Sequence, residues 1–166
     1  MDKYWVHISK DHLSFSAGHF ITFEGGQCER LHGHNYRVSA EVEGPLNDDF
    51  LVVDFSSLQQ IVEESIKELD HRMLIPLLSS HVRVEHQEKS VALVYGDRKW
   101  EFPRSDCALL PLENTTSELI ARWLSLRLRA ALTDRARTPG RPGGTWTVRV
   151  EVEESPGQSA SCEASG

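Results

Sequence analysis

The sequence predicts an α+β domain in which antiparallel strands pack against two helices. Two N-terminal stretches, 4–20 and 33–43, alternate apolar and polar side chains, as strands with one buried face do. Two later stretches, about 55–69 and 115–132, repeat apolar residues at helical spacing. A last alternating stretch, 145–154, follows the second helix. Strands and helices therefore do not alternate one by one, which favours antiparallel pairing.

Length and composition indicate a single globular domain covering residues 1–166. A chain of 166 residues is long enough for a real core, and 39% hydrophobic and 26% charged residues are typical of globular proteins. The net charge of −7 argues against a nucleic-acid partner. An anionic substrate would need a local basic pocket.

Cysteine usage and the N-terminus predict a cytoplasmic protein without membrane contact. The cysteines at positions 28, 107 and 162 are odd in number and lack the spacing of a disulfide framework, which indicates free thiols in a reducing compartment. The N-terminus has no apolar signal core, and no run approaches ~18 apolar residues.

The first two strands are expected to bring three histidines to one end of one sheet face. The first strand carries, on one parity, Leu13, Phe15, Ala17 and His19. The second strand carries, on one parity, His32, His34, Tyr36, Val38, Ala40 and Val42. If these strands pair, the imidazoles of His19, His32 and His34 converge.

Converging imidazoles predict a zinc site. Neutral imidazole is a good zinc ligand, and three protein ligands leave one position open, as in catalytic rather than structural sites. Cys28 lies four residues before His32. It is either a fourth ligand of a structural site or a reactive thiol beside a metal.

Helix signals and turn residues divide the rest of the chain. Asp54 is a candidate N-cap of the first helix, and Thr115 with Glu118 forms a candidate capping box for the second. Strand-like segments at 81–103 predict a small hairpin or meander within a peripheral insertion at about 81–113. The Pro- and Gly-rich residues 133–144 predict a flexible loop.

Two further groups of polar residues are candidates for chemistry. Glu154 keeps the parity of the preceding valines, so it places a carboxylate at the end of an apolar face, unless the strand has already ended in a turn. Glu151 and Glu153 have the opposite parity. Asp70 beside His71 could orient an imidazole and raise its basicity, or could be an exposed polar pair at a helix end.

Together these residues resemble one family, the 6-pyruvoyltetrahydropterin synthase and 6-carboxytetrahydropterin synthase family. The resemblance spans about residues 4–160. It is carried, in family order, by Phe15-Ser-Ala-Gly-His19, Cys28-x-x-x-His32-Gly-His34, Val53-Asp54-Phe55, Leu69-Asp70-His71, Thr116-Ser117-Glu118 and the strand ending in Glu154.

The resemblance implies a fold, an assembly and a set of roles. The fold would be the tunnelling fold, an antiparallel four-stranded sheet with two helices on one face. Three subunits would close a barrel, and two trimers would stack into a homohexamer. His19, His32 and His34 would hold Zn2+. Cys28 would be the proton-abstracting base, assisted by Asp70 and His71 from the same or a neighbouring subunit.

The resemblance also implies a substrate, 7,8-dihydroneopterin triphosphate, whose pterin edge Glu154 would bind. Cleavage of the side chain with release of acetaldehyde and triphosphate would give 6-carboxy-5,6,7,8-tetrahydropterin, used towards queuosine. We rank this product first. The pyruvoyl product formed by triphosphate elimination comes second, and 6-hydroxymethyldihydropterin for folate synthesis third.

Departures from the family pattern leave alternatives open. The segment 81–113 is longer than in short family members, and Ser155 follows the anchor glutamate where Thr is usual, so Glu153 and Glu151 are fallbacks for Glu154. Glu29 beside Cys28 resembles the branch that forms the hydroxymethyl product; otherwise it is a solvated loop residue. Outside the enzymes, a non-catalytic zinc- or pterin-binding module and a purely structural zinc protein remain as hypotheses.

Overall fold

The computed structural model describes residues 2–136 and 145–166. Most of the loop predicted at 133–144 lies outside the described residues, and its first four residues end the second helix.

A curled six-stranded mixed sheet forms the centre of the molecule, with strand order β11-β10-β4-β1-β5-β9. Its strands are β1 (Tyr4–His19), β4 (His32–Gly44), β5 (Arg72–Pro76), β9 (Cys107–Leu110), β10 (Thr147–Ser155) and β11 (Gln158–Ala164). The four strands β11, β10, β4 and β1 pair antiparallel, in agreement with the predicted core of the tunnelling fold.

The expectation of four strands is corrected to six, because β5 and β9 extend the sheet by parallel pairing on β1. Strand β5 was missed because its residues Met73 to Pro76 are all buried. A strand buried on both faces is a continuous apolar run without alternation, as is typical of parallel sheets. β9 belongs to the main sheet although it lies within the predicted insertion.

Two helices cover one face of the sheet, as predicted. They are α1 (Phe55–Lys67) and α2 (Ser117–Ala136). Their buried side chains share one apolar core with the inward-facing residues of β1, β4 and β10. The N-cap expected for α1 is confirmed, because the Ser57 N–H donates to Asp54 Oδ1 at 2.8 Å.

A second, smaller sheet lies beside the first. It is a meander of β6 (Arg83–His86), β7 (Ser90–Tyr95) and β8 (Arg98–Pro103), as the sequence predicted. Its apolar side chains share a second core with Phe20 and with main-sheet residues of β5 and β9. The hairpin β2 (Thr22–Phe23) and β3 (Gln27–Cys28) lies between β1 and β4. Within the described residues, neither helix is long and apolar enough to cross a membrane.

Candidate active site

The pairing of β1 with β4 brings the three predicted histidines together. The register places His19 opposite His32 and Ala17 opposite His34. The ring centroids lie 4.8 Å apart for His19 and His32, 5.3 Å for His19 and His34, and 4.8 Å for His32 and His34. Convergence at one end of one sheet face is therefore confirmed.

Backbone carbonyls fix two of the rings so that the same nitrogen faces the centre of the cluster. His19 Nδ1 donates to the Thr115 carbonyl at 2.9 Å, and His32 Nδ1 donates to the Arg30 carbonyl at 2.8 Å. Because a carbonyl only accepts, Nδ1 must carry the proton in both rings. Nε2 is then the unprotonated nitrogen of both rings, which is the tautomer found for histidines that bind metal through Nε2.

His34 gives the most direct indication of a metal site. Its Nε2 atom is buried and, among the described residues, has no hydrogen-bond partner. It lies 2.8 Å from Glu154 Oε1, but outside hydrogen-bond geometry. A buried polar nitrogen without a partner is rare in native proteins, and a cation bound among these groups would satisfy it. The donor set of imidazole nitrogens fits zinc.

Glu154 is the fourth group of the cluster. Its ligand atom and those of the three histidines all lie within 4.8 Å of one another. Glu154 Oε1 lies 3.5 Å from His19 Nε2, while Oε2 accepts a hydrogen bond from Ser117 Oγ at 2.8 Å. The predicted parity of β10 is confirmed, because Val148, Val150 and Val152 are fully buried and Glu151 is exposed. Glu154 thus continues the inward face.

A cleft opens next to Glu154. It is lined by Ile21, Thr116, Ser117, Glu118, Glu154, Gln158, Ser159 and Ala160. The residues at the start of α2, the end of β10 and the start of β11 therefore form most of its walls. The cleft offers hydroxyl, amide and carboxylate groups to a polar ligand at the edge of the histidine cluster.

Burial determines the protonation states of His19 and Tyr36, the most enclosed titratable groups of the site. Burial lowers the pKa of His19, so the neutral, metal-binding form of this ring is favoured. Tyr36 contacts the same ring, with its hydroxyl 3.2 Å from both nitrogens of His19. Burial and the Glu154 carboxylate raise the pKa of Tyr36, so its hydroxyl stays protonated.

Cys28 is not a member of the cluster. Among the described residues, the group that could hold a metal contains Glu154 and lacks Cys28. The thiol points to the carbonyl of Glu29 at 3.5 Å, and burial raises its pKa, opposed by the Arg98 charge. The hypothesis of a structural zinc with Cys28 as fourth ligand is therefore not supported by the geometry.

The Glu29 side chain points towards the histidines. Its Oε2 lies 4.0 Å from His32 Nε2 and accepts a hydrogen bond from the Ile21 N–H at 3.2 Å. The Glu29 side chain is 33% exposed and hydrogen-bonded, which favours a position beside the histidines over that of a fully solvated loop glutamate.

Asp70 and His71 form a pair, as predicted, but one subunit does not bring them into the histidine cluster. His71 Nδ1 lies 2.9 Å from Asp70 Oδ2, and His71 is 82% exposed. Asp70 Oδ1 accepts from the Ser16 N–H at 2.9 Å; this bond and the His71 contact lower the pKa of Asp70. His71 adopts a left-handed conformation with φ of 55°, unusual for a residue other than glycine.

Three supporting residues were not identified from the sequence. Thr115 supplies the carbonyl that orients His19, and its hydroxyl donates to the Phe20 carbonyl at 3.1 Å. Thr115 is therefore not the helix cap that its spacing suggested; Thr116 caps α2 through Oγ1, which accepts from the Leu119 N–H at 3.4 Å. The others are Tyr36 and Ser117. For Thr115 and Ser117, the available sequence signal was the run of three hydroxyl residues, 115–117, at the start of α2.

Comparison with known proteins identifies relatives over nearly the whole chain. A family model described as 6-pyruvoyl tetrahydropterin synthase matches residues 7–165. A Methanocaldococcus jannaschii protein, provisionally named 6-carboxy-5,6,7,8-tetrahydropterin synthase, is 33% identical over 89% of this chain and 88% of its own. A Pyrococcus furiosus protein named dihydroneopterin monophosphate aldolase is 29% identical over 72% of each chain.

Solved structures agree with this assignment of the fold. The crystal structure of 6-pyruvoyl tetrahydropterin synthase from Plasmodium vivax has a TM-score of 0.88, 28% identity and 100% coverage of both chains. Two further structures of the P. vivax protein carry a substitution of a catalytic glutamate, to alanine in one and to cysteine in the other.

Proposed function

Because this chain belongs to the 6-pyruvoyl tetrahydropterin synthase family, we propose that it is a zinc-dependent lyase acting on 7,8-dihydroneopterin triphosphate. The proposed products are 6-carboxy-5,6,7,8-tetrahydropterin, acetaldehyde and triphosphate, with water consumed. The supporting observation is the set of three imidazoles beside the Glu154 carboxylate, with His34 Nε2 buried and, among the described residues, without a hydrogen bond. The reaction would belong to a cytoplasmic route towards queuosine.

His19, His32 and His34 are the residues that would hold zinc. When bound, zinc would withdraw electrons from the side-chain oxygens of the substrate and make the adjacent C–H bonds more acidic. Burial lowers the pKa of His19 and favours its neutral form, and the carbonyls of Thr115 and Arg30 orient the rings of His19 and His32.

Cys28 is the proposed base that removes a proton from the substrate side chain. The thiol must first lose its own proton, which burial opposes and which a nearby positive charge favours. Asp70 is the proposed partner of His71: its carboxylate holds the imidazole at 2.9 Å, so that His71 is oriented to return a proton.

Glu154 is the proposed anchor of the pterin ring. The amino and ring N–H groups of a pterin are paired donors, and a carboxylate offers paired acceptors. Ser117 Oγ holds one carboxylate oxygen at 2.8 Å, and the cleft beside it provides room for a ring next to Glu154.

The direct test is incubation of the zinc-loaded protein with 7,8-dihydroneopterin triphosphate, followed by product identification by mass spectrometry. We expect the carboxy product together with acetaldehyde, one equivalent of zinc per subunit, and loss of turnover after chelation that added zinc restores. A protein that binds zinc and pterin but forms no product would instead be a non-catalytic binding module. Turnover at full rate without zinc would contradict the proposal.

A second product, 6-hydroxymethyldihydropterin, is favoured by one observation. The Glu29 carboxylate lies 4.0 Å from His32 Nε2, so a carboxylate base stands beside the proposed metal as well as a thiol. The relatives include a dihydroneopterin monophosphate aldolase and an enzyme with a catalytic glutamate. The same assay distinguishes this product and the pyruvoyl product by mass.

We further propose that the active site is completed between subunits of a trimer-based assembly, most simply a homohexamer. Asp70 and His71 contact each other and the Ser16 backbone. His71 lines an open cleft together with His32 and His34 of its own chain, but it is not part of the group that could hold a metal. The six-stranded sheet also leaves two edges, at β11 and β9, which closure into a barrel would cover.

Light scattering should give a mass that is a multiple of three subunits, and mixing variants should restore activity. When Cys28→Ala and His71→Ala subunits are dissociated, mixed in equal amounts and reassembled, about a quarter of the shared sites would regain both groups by random pairing in a closed ring. A stable monomer, or two variants that stay inactive after mixing, would contradict the shared site.

A further inference from the structure

The small sheet holds the backbone of the segment that carries Cys28 and Glu29. Tyr95, at the end of β7, donates from its hydroxyl to the Gly26 carbonyl at 2.8 Å. Arg98, at the start of β8, donates from Nη1 to the Cys28 carbonyl and from Nη2 to the Glu29 carbonyl, both at 3.0 Å. One guanidinium thus bridges the two consecutive residues that offer a base.

Arg98 is itself held in place by aromatic stacking. Its guanidinium lies 4.6 Å from the centre of the Trp100 ring, and Trp100 stacks on Phe20 with 4.6 Å between ring centroids. Phe20 follows His19 directly in the chain. The stack therefore connects the small sheet to the end of β1, where the histidine cluster begins.

At Gly26, the segment that carries Cys28 also lies close to His81, just before the small sheet. This residue has φ of +107°, and a Cβ atom added to it would lie 2.7 Å from Nδ1 of His81. A side chain at this position would be strained by the positive φ and would have to displace the exposed ring of His81, which lies just before β6. Cys28 in turn packs against the apolar cluster that the two sheets share.

We propose that Arg98 and Tyr95 are positioning residues for the reaction, and that the small sheet fixes Cys28 and Glu29 relative to the three histidines. This inference rests on the proposed function, because it assigns the base to this segment. A guanidinium suits the role because its planar fork reaches two carbonyls at once, which a lysine ammonium cannot do in the same rigid geometry.

The prediction is that loosening this segment lowers kcat and leaves KM nearly unchanged. Arg98→Met removes both hydrogen bonds and keeps an apolar chain against Trp100, while Tyr95→Phe removes only the bond to Gly26. We expect a fall in kcat of about tenfold to hundredfold for Arg98→Met, because small displacements of a reacting group are that costly. KM should stay within about twofold, since Glu154 is untouched, and Arg98→Lys should recover part of kcat.

Hydrogen exchange of the zinc-loaded protein provides a measurement independent of turnover. The amides of Gly26 and Glu29 are bonded to the carbonyls of Phe23 and Ile21, both at 3.0 Å. In Arg98→Met these amides should exchange at least about tenfold faster, while amides in paired β1 and β4 keep their protection. Arg83→Met is the matched control, because Arg83 is an exposed arginine of the same sheet paired with Glu85.

The outcomes separate the positioning role of Arg98 and Tyr95 from the proposed function. Unchanged exchange and unchanged kcat in Arg98→Met and Tyr95→Phe would overturn the positioning role. If the amides exchange faster in Arg98→Met but the wild type forms no pterin product, the role of the small sheet is supported and the proposed function is overturned. Equal losses in Arg83→Met would show a general effect on the sheet and would also overturn the positioning role.

Discussion

Replacement of Cys28 by alanine should abolish turnover and leave the metal content unchanged. The three imidazoles, together with Glu154, form the cluster without Cys28, so the metal site does not depend on the thiol. A positioned general base contributes about 10²- to 10⁴-fold to the rate, and kcat should fall by that factor. The measurement is a turnover assay beside elemental analysis of the same protein sample.

Two variants make this result specific. Cys162→Ala removes another partly buried free thiol, which lies on β11 opposite Val150, and should behave as the wild type. Glu29→Gln tests the second base. A large loss in Glu29→Gln with turnover retained in Cys28→Ala would assign the reaction to the carboxylate and favour the hydroxymethyl product. Loss of zinc in Cys28→Ala would restore the hypothesis of a structural site.

The pH dependence separates the two bases in another way. Burial raises the pKa of the Cys28 thiol, so the reactive thiolate is scarce at low pH and becomes more abundant as pH rises towards that pKa. With Cys28 as base, kcat/KM should therefore increase through the neutral range. Carboxylates in general ionise near pH 4, so a carboxylate base would give a profile that is already level in that range.

The histidine cluster could be predicted because it depends on strand periodicity alone. Side chains alternate strictly along a strand, so parity places His19 on the apolar face of β1, and His32 and His34 on that of β4. The carbonyls that orient these rings could not be predicted. Thr115 is 96 residues from His19 in the chain, and its carbonyl reaches the ring only through the tertiary packing of α2.

The same distinction between periodic patterns and tertiary contacts explains which parts of the sheet and of the active site could not be predicted from the sequence. β5 carries no alternation to detect, because both of its faces are buried. The segment 81–103 was predicted to be a meander in a peripheral insertion, and its strands were found. Its contacts with the Cys28 segment come from Tyr95 and Arg98, which in sequence are ordinary residues flanking a turn. Polar contacts between distant segments leave no periodic signal.

The substitution Glu154→Gln tests whether this carboxylate binds the pterin or the metal. As the anchor, Glu154 would accept from the amino and ring N–H groups of the substrate, and glutamine would present a donor to one of them. An unpaired donor in a desolvated pocket costs about 1–3 kcal/mol. We therefore expect substrate binding to weaken at least tenfold, which corresponds to about 1.4 kcal/mol, in both Glu154→Gln and Glu154→Ala, measured as the dissociation constant of the pterin.

The metal content of the same variants decides between the two roles of the carboxylate. Three histidines suffice for a catalytic zinc site, so zinc should stay bound at one equivalent in Glu154→Gln. Glu151→Gln is the control, because Glu151 lies on the exposed face of the same strand and should behave as the wild type. Glu154 Oε1 is already 2.8 Å from His34 Nε2. If zinc is lost together with pterin binding, Glu154 is a fourth ligand, the site is closed, and the pterin must be anchored by other groups of the cleft.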